Sequence, residues 1–255
     1  MNSQFEVLVV DDEDVVLGAV RRILSAHSIE HRVAGSAEQA LEKINEREPD
    51  ILLADIKLPG QSGLELVRKC SSRFPSLVSV CMTGYANAEH VLLCLESGAV
   101  DFLPKPFTVE EVLSTLTRAG RLVEGDAIAN DVPAECFVLD GHTWARREDD
   151  GTVTLGLVRT FLQTAGPIES LDIPVPNTML RQGCDLTRVT ATDGHVHRAW
   201  CAIGGRVEQS NDRLEGEPDI VSADPYGEGW IACVMPTSIE EEVARLGSSE
   251  PQQSH

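Results

Sequence analysis

Asp11, Asp12 and Asp55 bring carboxylates, Thr83 a hydroxyl and Lys105 an ammonium, and together these five side chains could accept and hold a phosphate group. Neighbouring carboxylates repel one another and invite a hard divalent cation. Magnesium suits such a set because it takes few protein oxygens, keeps several waters and leaves room for phosphate. An ammonium and a hydroxyl would then neutralise and orient the phosphoryl oxygens. Taken singly, the residues have plainer readings: an Asp-Asp pair after a strand is often a helix N-cap, and a Lys-Pro step a turn. The chemistry requires elements that bring all five to one place.

Those elements are legible as hydrophobic patterns. Residues 6–10 read as a strand ending at Asp11-Asp12, and Val16, Val20, Ile23 and Leu24 follow at helical spacing. Ser36 with Gln39 forms a capping-box signature opening a helix through Ala40, Leu41 and Ile44, and residues 51–54 form a buried strand ending at Asp55. A helix near residues 63–73, a strand at 77–82, a helix near 87–97 and a short strand at 101–103 come next. Thr108 opens a last helix, with Glu111 completing a second capping box. Five strands alternating with five helices imply an α/β doubly wound parallel sheet, whose site lies at the carboxyl ends of its strands. All five candidate residues fall at or just after such ends.

Asp11-Asp12, the run Asp55-Ile56-Lys57-Leu58-Pro59 with Gly63, Thr83-Gly84 and Lys105-Pro106-Phe107 match, in order and spacing, the response-regulator receiver domain, which residues 5–121 resemble. The resemblance implies a flavodoxin-like fold in which Asp55 is the phosphoacceptor. It implies that Asp11, Asp12, Asp55 and the Lys57 backbone carbonyl hold Mg2+, while Thr83 and Lys105 contact the phosphoryl oxygens. It further implies a cis Lys105-Pro106 peptide, a sensor histidine kinase as donor and a homodimer through the receiver. Phe102 occupies the family's aromatic switch position, paired with Thr83, and reads equally well as an ordinary core aromatic.

The second half differs in kind. The four lysines are Lys43, Lys57, Lys69 and Lys105, so nothing beyond residue 105 carries an amine side chain. Glu124-Gly125-Asp126 and Asn130-Asp131-Val132-Pro133 suggest a linker. The expected organisation is therefore a receiver at 1–122, a linker at 123–134, a second domain at 135–247 and a disordered polar tail at 248–255. Residues 152–157 alternate polar and apolar, predicting a strand with one apolar face, and Gly/Pro punctuation suggests many short strands.

His142 with Trp144, Asp150-Gly151-Thr152-Val153 with Gly156, Gly204-Gly205-Arg206-Val207 with Asn211, and Asp224-Pro225-Tyr226-Gly227-Glu228-Gly229-Trp230 resemble the H protein of the glycine cleavage system over residues 137–246. That family implies a mostly β barrel-sandwich hybrid with a lipoyl-lysine at a hairpin tip. Counting back from Gly204-Gly205 without a gap, the modified position falls on Gly194. Asp193-Gly194 remains a tight-turn signal, but a domain without lysine can carry no lipoate. His195 and His197 alternate onto one side of the same strand; they could hold a metal given a third ligand, or form a solvated hairpin edge, the plainer expectation. Seven cysteines without C-x-x-C spacing read as reduced core thiols, Cys184 and Cys201 included.

Of the net charge of -20, residues 1–122 hold 18 acidic and 12 basic side chains, and the remainder 23 and 9. So acidic a surface, with no basic stripe, argues against nucleic acid as partner. No apolar run nears the roughly 18 residues of a membrane span, and the start lacks a basic leader, so the expected compartment is the cytoplasm, with no membrane partner. The expected function is a non-enzymatic response regulator of a two-component system. Its output would be protein-protein interaction of the lipoate-free domain with an unknown protein. Alternatives are a regulator or decoy docking onto lipoate-handling or glycine-cleavage enzymes, and a phosphorelay intermediate.

Overall fold

The computed structural model describes residues 5–84, 88–125 and 131–248. The chain divides into two compact units, Met1–Asp126 and Ala127–His255. In the first, β1 (Glu6–Val10), α1 (Asp14–Ala26), β2 (Glu30–Ala34), α2 (Ala37–Glu46), β3 (Ile51–Asp55) and α3 (Gly63–Arg73) alternate. They are followed by β4 (Val78–Thr83), α4 (Ala88–Glu96), β5 (Asp101–Pro104) and α5 (Val109–Val123). All strand pairings are parallel, in the order β2-β1-β3-β4-β5. Starting from β1 the chain winds first one way and then the other, which opens a crevice beside β1 and β3 at their carboxyl ends.

Every residue of β1 and β3 is buried, as central strands covered by helices on both faces must be. Val7, Val9, Ile51, Leu53, Val80 and Met82 pack against Val20 and Leu24 of α1 and Val112 and Leu116 of α5. The Thr108–Glu111 capping box forms in full, and so does one at Ser62–Glu65 that the patterning did not single out. Ser36 caps Gln39 N as expected, but Gln39 Oε1 accepts from Gly35 N rather than closing the box on Ser36. β4 starts and ends one residue later than expected, which makes Thr83 its last residue. Asn87, the expected start of the fourth helix, lies outside the described residues.

The second unit contains β6 (Cys136–Leu139), β7 (Thr143–Arg147), β8 (Val153–Leu157), α6 (Arg159–Ala165), β9 (Ile168–Leu171), β10 (Met179–Leu180), β11 (Asp185–Ala191) and β12 (Val196–Trp200). Then come β13 (Gly205–Ser210), α7 (Ile220–Ala223), β14 (Trp230–Pro236), α8 (Ile239–Val243) and β15 (Gly247–Ser248). A seven-stranded sheet runs β10-β13-β14-β8-β7-β6-β15, and a three-stranded one runs β12-β11-β9. The Thr143 hydroxyl donates to Trp200 O at 2.7 Å, tying one sheet to the other. Trp144 is fully buried; its Nε1 donates to Pro225 O at 3.0 Å, and the Arg146 guanidinium lies over its ring. Asn211 Nδ2 donates to Glu228 O and Trp230 O, both at 2.8 Å, so the 224–230 segment is held from two directions.

Four expectations are corrected here. β8 is buried along its whole length rather than on alternate residues, because it sits between β14 and β7 and Trp144 packs directly onto Gly156. Ser248, assigned above to a disordered tail, pairs with Phe137 at the sheet edge. Cys184 is exposed, whereas Cys70, Cys81, Cys94, Cys136 and Cys201 are buried and Cys233 is intermediate. His197 is buried and does not belong to a solvated edge. Burial pushes the thiols of Cys70 and Cys136 up to about 11, which keeps them inert near neutral pH. Among the described residues no helix is long and apolar enough to cross a membrane.

Candidate functional site

Three of the candidate side chains meet at the carboxyl ends of the first sheet. Asp11 follows β1 immediately, Asp55 ends β3 and Lys105 follows β5. Lys105 Nζ lies 2.5 Å from Asp11 Oδ2 and 3.1 Å from Asp55 Oδ1, with Glu13 Oε1 at 3.9 Å. Asp11 is fully buried, and Asp55 is 5% exposed. Lys57 N donates to Asp55 Oδ2 at 3.1 Å and Glu13 N to Asp11 Oδ1 at 2.9 Å, so the backbone fixes the second oxygen of each carboxylate. Both aspartates thus receive a backbone bond two residues on, an Asx-type contact of the kind this residue favours at turns.

Thr83 is buried at the end of β4, and its carbonyl accepts from Lys105 N at 2.7 Å, so the backbones of the two residues are in direct contact. The Lys105-Pro106 peptide is cis, as the motif implied. Asp12 is exposed on the loop beside Asp11. Phe102 is buried on β5, opposite Cys81 of β4. The loop after Asp55 is held close by a glycine: a Cβ at Gly63 would come 1.8 Å from Asp55 O, so any other side chain there would push the α3 start off the site.

The electrostatics follow from burial. Desolvation raises the Asp55 pKa above the ordinary carboxylate value, and the Lys105 ammonium opposes it without cancelling it. Burial alone would lower the Lys105 pKa, but Asp11 and Asp55 together outweigh it, and the ammonium ends above its usual value. Two enclosed carboxylates share one ammonium, which leaves a negative charge uncompensated. That donor set fits magnesium, which binds through one or two carboxylates and keeps its remaining waters. Among the described residues no three His, Cys, Asp or Glu side chains converge as a metal site. Asp11 and Asp55 converge on Lys105, and Asp12 is exposed on the adjoining loop.

In the second unit, β11 and β12 form an antiparallel hairpin whose tip is residues 192–195. Ala191 N donates to His195 O and Gly194 N to Ala191 O, each at 2.9 Å. Gly194 has φ +85°, and a Cβ there would meet nothing within 4 Å, so the tip is a left-handed turn open to its surroundings. His195, the last residue of the tip, and His197 of β12 have ring centroids 6.2 Å apart. The burial of His197 carried no local signal, since its cross-strand partner Val189 lies on another element.

Comparison with known proteins divides the chain as the structure does. Residues 7–117 match the response regulator receiver domain model, and residues 137–254 the glycine cleavage H-protein model. The DNA-binding transcriptional regulator NtrC of Proteus hauseri is 32% identical over 113 residues, which is 44% of this chain. The match covers only 24% of that regulator's length. The glycine cleavage system H protein of Chromobacterium violaceum is 32% identical over 109 residues, 43% of this chain and 84% of that protein. A CheY-like receiver domain structure from Methanospirillum hungatei JF-1 has 30% identity, covers 47% of this chain and 96% of that one, and superposes with a TM-score of 0.45. The chain belongs to the glycine cleavage H-protein family through its residues 137–254, which follow a response regulator receiver domain at residues 7–117.

Proposed function

We propose that Asp55 accepts a phosphoryl group from a sensor histidine kinase and that the signal leaves through protein contacts of the lipoate-free H-like domain. The observation that carries this is the Lys105 ammonium set between the Asp11 and Asp55 carboxylates at the sheet's carboxyl end. In the transfer an Asp55 oxygen attacks phosphorus, the P–N bond of the donor phosphohistidine breaks, and its electron pair returns to the imidazole. Lys105 is placed to neutralise charge on the transferring oxygens, and Thr83 to offer its hydroxyl to the new phosphoryl group. Magnesium, held by Asp11 and Asp55 with Asp12 and the Lys57 carbonyl at the rim, would supply the remaining positive charge. Asp55→Asn should abolish labelling by a small acyl phosphate in the presence of magnesium, and undiminished labelling of that variant would overturn the assignment.

A second reading has the H-like half dock onto lipoate-handling or glycine-cleavage enzymes under receiver control. The intact β11–β12 hairpin favours it, because a docking surface can outlive the loss of the modified side chain.

A further inference from the structure

We propose that Glu38, on the first turn of α2, is a positioning residue for the phosphoacceptor site, acting with Lys69 of α3 through the loop that follows Asp55. The proposal deepens the reading of Asp55 as a phosphoacceptor and rests on it. The loop, residues 56–62, is fixed at both ends. At its start Ile56 N donates to Met82 O at 3.0 Å and Lys57 N to Asp55 Oδ2 at 3.1 Å. At its end Ser62 caps α3, and Gly63 N donates to Ile56 O at 3.1 Å. Between these points residues 58–61 make no backbone–backbone hydrogen bond to another described residue.

Leu58 is anchored by burial, whereas Gly60 and Gln61 meet two charged side chains on the neighbouring helices. Gly60 has φ +77°, and a Cβ there would come 3.4 Å from Glu38 Oε1, so the Glu38 carboxylate lies against the crest of the turn. The Gln61 N–H donates to that carboxylate, and Gln61 Oε1 accepts from Lys69 Nζ at 2.7 Å. Hydrogen bonds from its own N–H and from the Ser36 side chain hold the Glu38 pKa below the ordinary value of 4.5, and the Gln61 N–H and Lys69 ammonium lower it further. The carboxylate is therefore ionised at neutral pH.

Glu38 and Lys69 are both exposed, and Gln61 touches both. An acid on one helix and an ammonium on the next thus grip a stretch that has no ladder of its own. What the grip sets is the placement of Lys57, earlier in the same loop. Lys57 offers the site two backbone groups, the N–H that fixes Asp55 Oδ2 and the carbonyl that the motif assigns to magnesium. A loop free to lift would carry both away, and magnesium, which demands near-octahedral geometry, tolerates such displacement poorly. Glu38 and Lys69 act through the backbone, not on the reacting atoms.

Hydrogen exchange of the metal-free full chain reads the grip directly. In Glu38→Ala the amides of Lys57 and Gln61 should exchange several-fold faster than in wild type. Glu38→Gln keeps an acceptor for the Gln61 N–H, so most of the protection should return. Magnesium binding, measured by titration calorimetry, should weaken about threefold in Glu38→Ala, an effect of the size that exposed polar contacts support. Labelling of Asp55 by acetyl phosphate should then be slower than in wild type at subsaturating magnesium and equal to it at saturation. Lys69→Met should show the same changes in weaker form. Each measurement is made well below the melting temperature of the variant, so that global unfolding does not contribute. Unchanged exchange over residues 56–62 in Glu38→Ala overturns the proposal, and so does faster exchange with magnesium affinity unaltered. A labelling deficit that persists at saturating magnesium also overturns it, since filling the site corrects a loop misplaced for the ion. Failure of the receiver reading looks different: wild type itself then binds no magnesium and takes no label at Asp55.

Discussion

Arg118 Nε lies 3.2 Å from Asp101 Oδ2, and the pair joins α5 to β5 beneath the surface of the receiver, with Arg118 only 1% exposed. Asp101 also accepts from Phe102 N through Oδ1, at 2.8 Å, and Arg118 Nη2 donates to Val100 O at 3.1 Å. Burial lowers the Arg118 pKa, and the Asp101 carboxylate opposes that shift. Such a pair is costly to break on one side, because the surviving charge stays enclosed. Arg118→Met should lower unfolding stability by about 3–5 kcal/mol, and the double variant Arg118→Met with Asp101→Leu should recover a large part of it. Urea unfolding of the three proteins measures both effects; a single variant as stable as wild type would show that the pair contributes nothing.

The raised pKa of Asp55 sets a direction for pH dependence. Its folded form holds a proton more tightly than the unfolded chain, whose ordinary value is 3.8. Asp55 therefore favours folding below that value, and the contribution is lost as pH rises through the higher folded pKa. The stability of Asp55→Asn relative to wild type should improve across that interval and then level off. Thermal melts at steps from pH 3 to pH 7 would show it, and a trend of the opposite sign would mean that Lys105 outweighs burial.

Magnesium affinity should separate the two adjacent aspartates. Asp11 is enclosed and in contact with Lys105, whereas Asp12 is exposed at the rim. Asp11→Asn should weaken magnesium binding more than Asp12→Ala does, with losses on the order of tenfold or greater for the first. Titration calorimetry gives both constants. Equal losses would place the two carboxylates on the ion alike.

Expressed with an active lipoate ligase, the protein should gain no lipoyl mass in residues 123–255, since that stretch has no lysine. Gly194→Lys meets no steric obstacle at its Cβ, but at φ +85° a side chain costs about 1 kcal/mol. That variant should acquire one lipoyl group. Its failure to do so while folded would show that the hairpin is no longer read by the ligase.

A phosphoryl mimic should change hydrogen exchange in α4, β5 and α5 and leave the core of residues 150–234 little altered. The reason is that a charged group at Asp55 draws Thr83 and Lys105 toward it, and these flank β5, where Phe102 packs. Changes confined to the loop after Asp55 would argue for a phosphorelay without a transmitted switch.

Much of this was already decided along the chain. Buried runs at residues 6–10 and 51–55, the Thr108–Glu111 cap and the alternation of strand with helix are local signals, each complete within a few residues. The lack of lysine beyond residue 105 is compositional, and no fold can alter what it forbids. What the tertiary structure decided depends on partners far away in sequence. Lys105 and Asp11 are 94 positions apart, and only the winding of the sheet brings them together. Full burial of β8, enclosure of His197, exposure of Cys184 and the edge pairing of Ser248 likewise depend on neighbouring strands. The seven-residue α6, amid a strand-rich pattern, is too short for periodicity to reveal. Periodicity reports which face of a segment is apolar; burial depends on what the rest of the chain lays against that face.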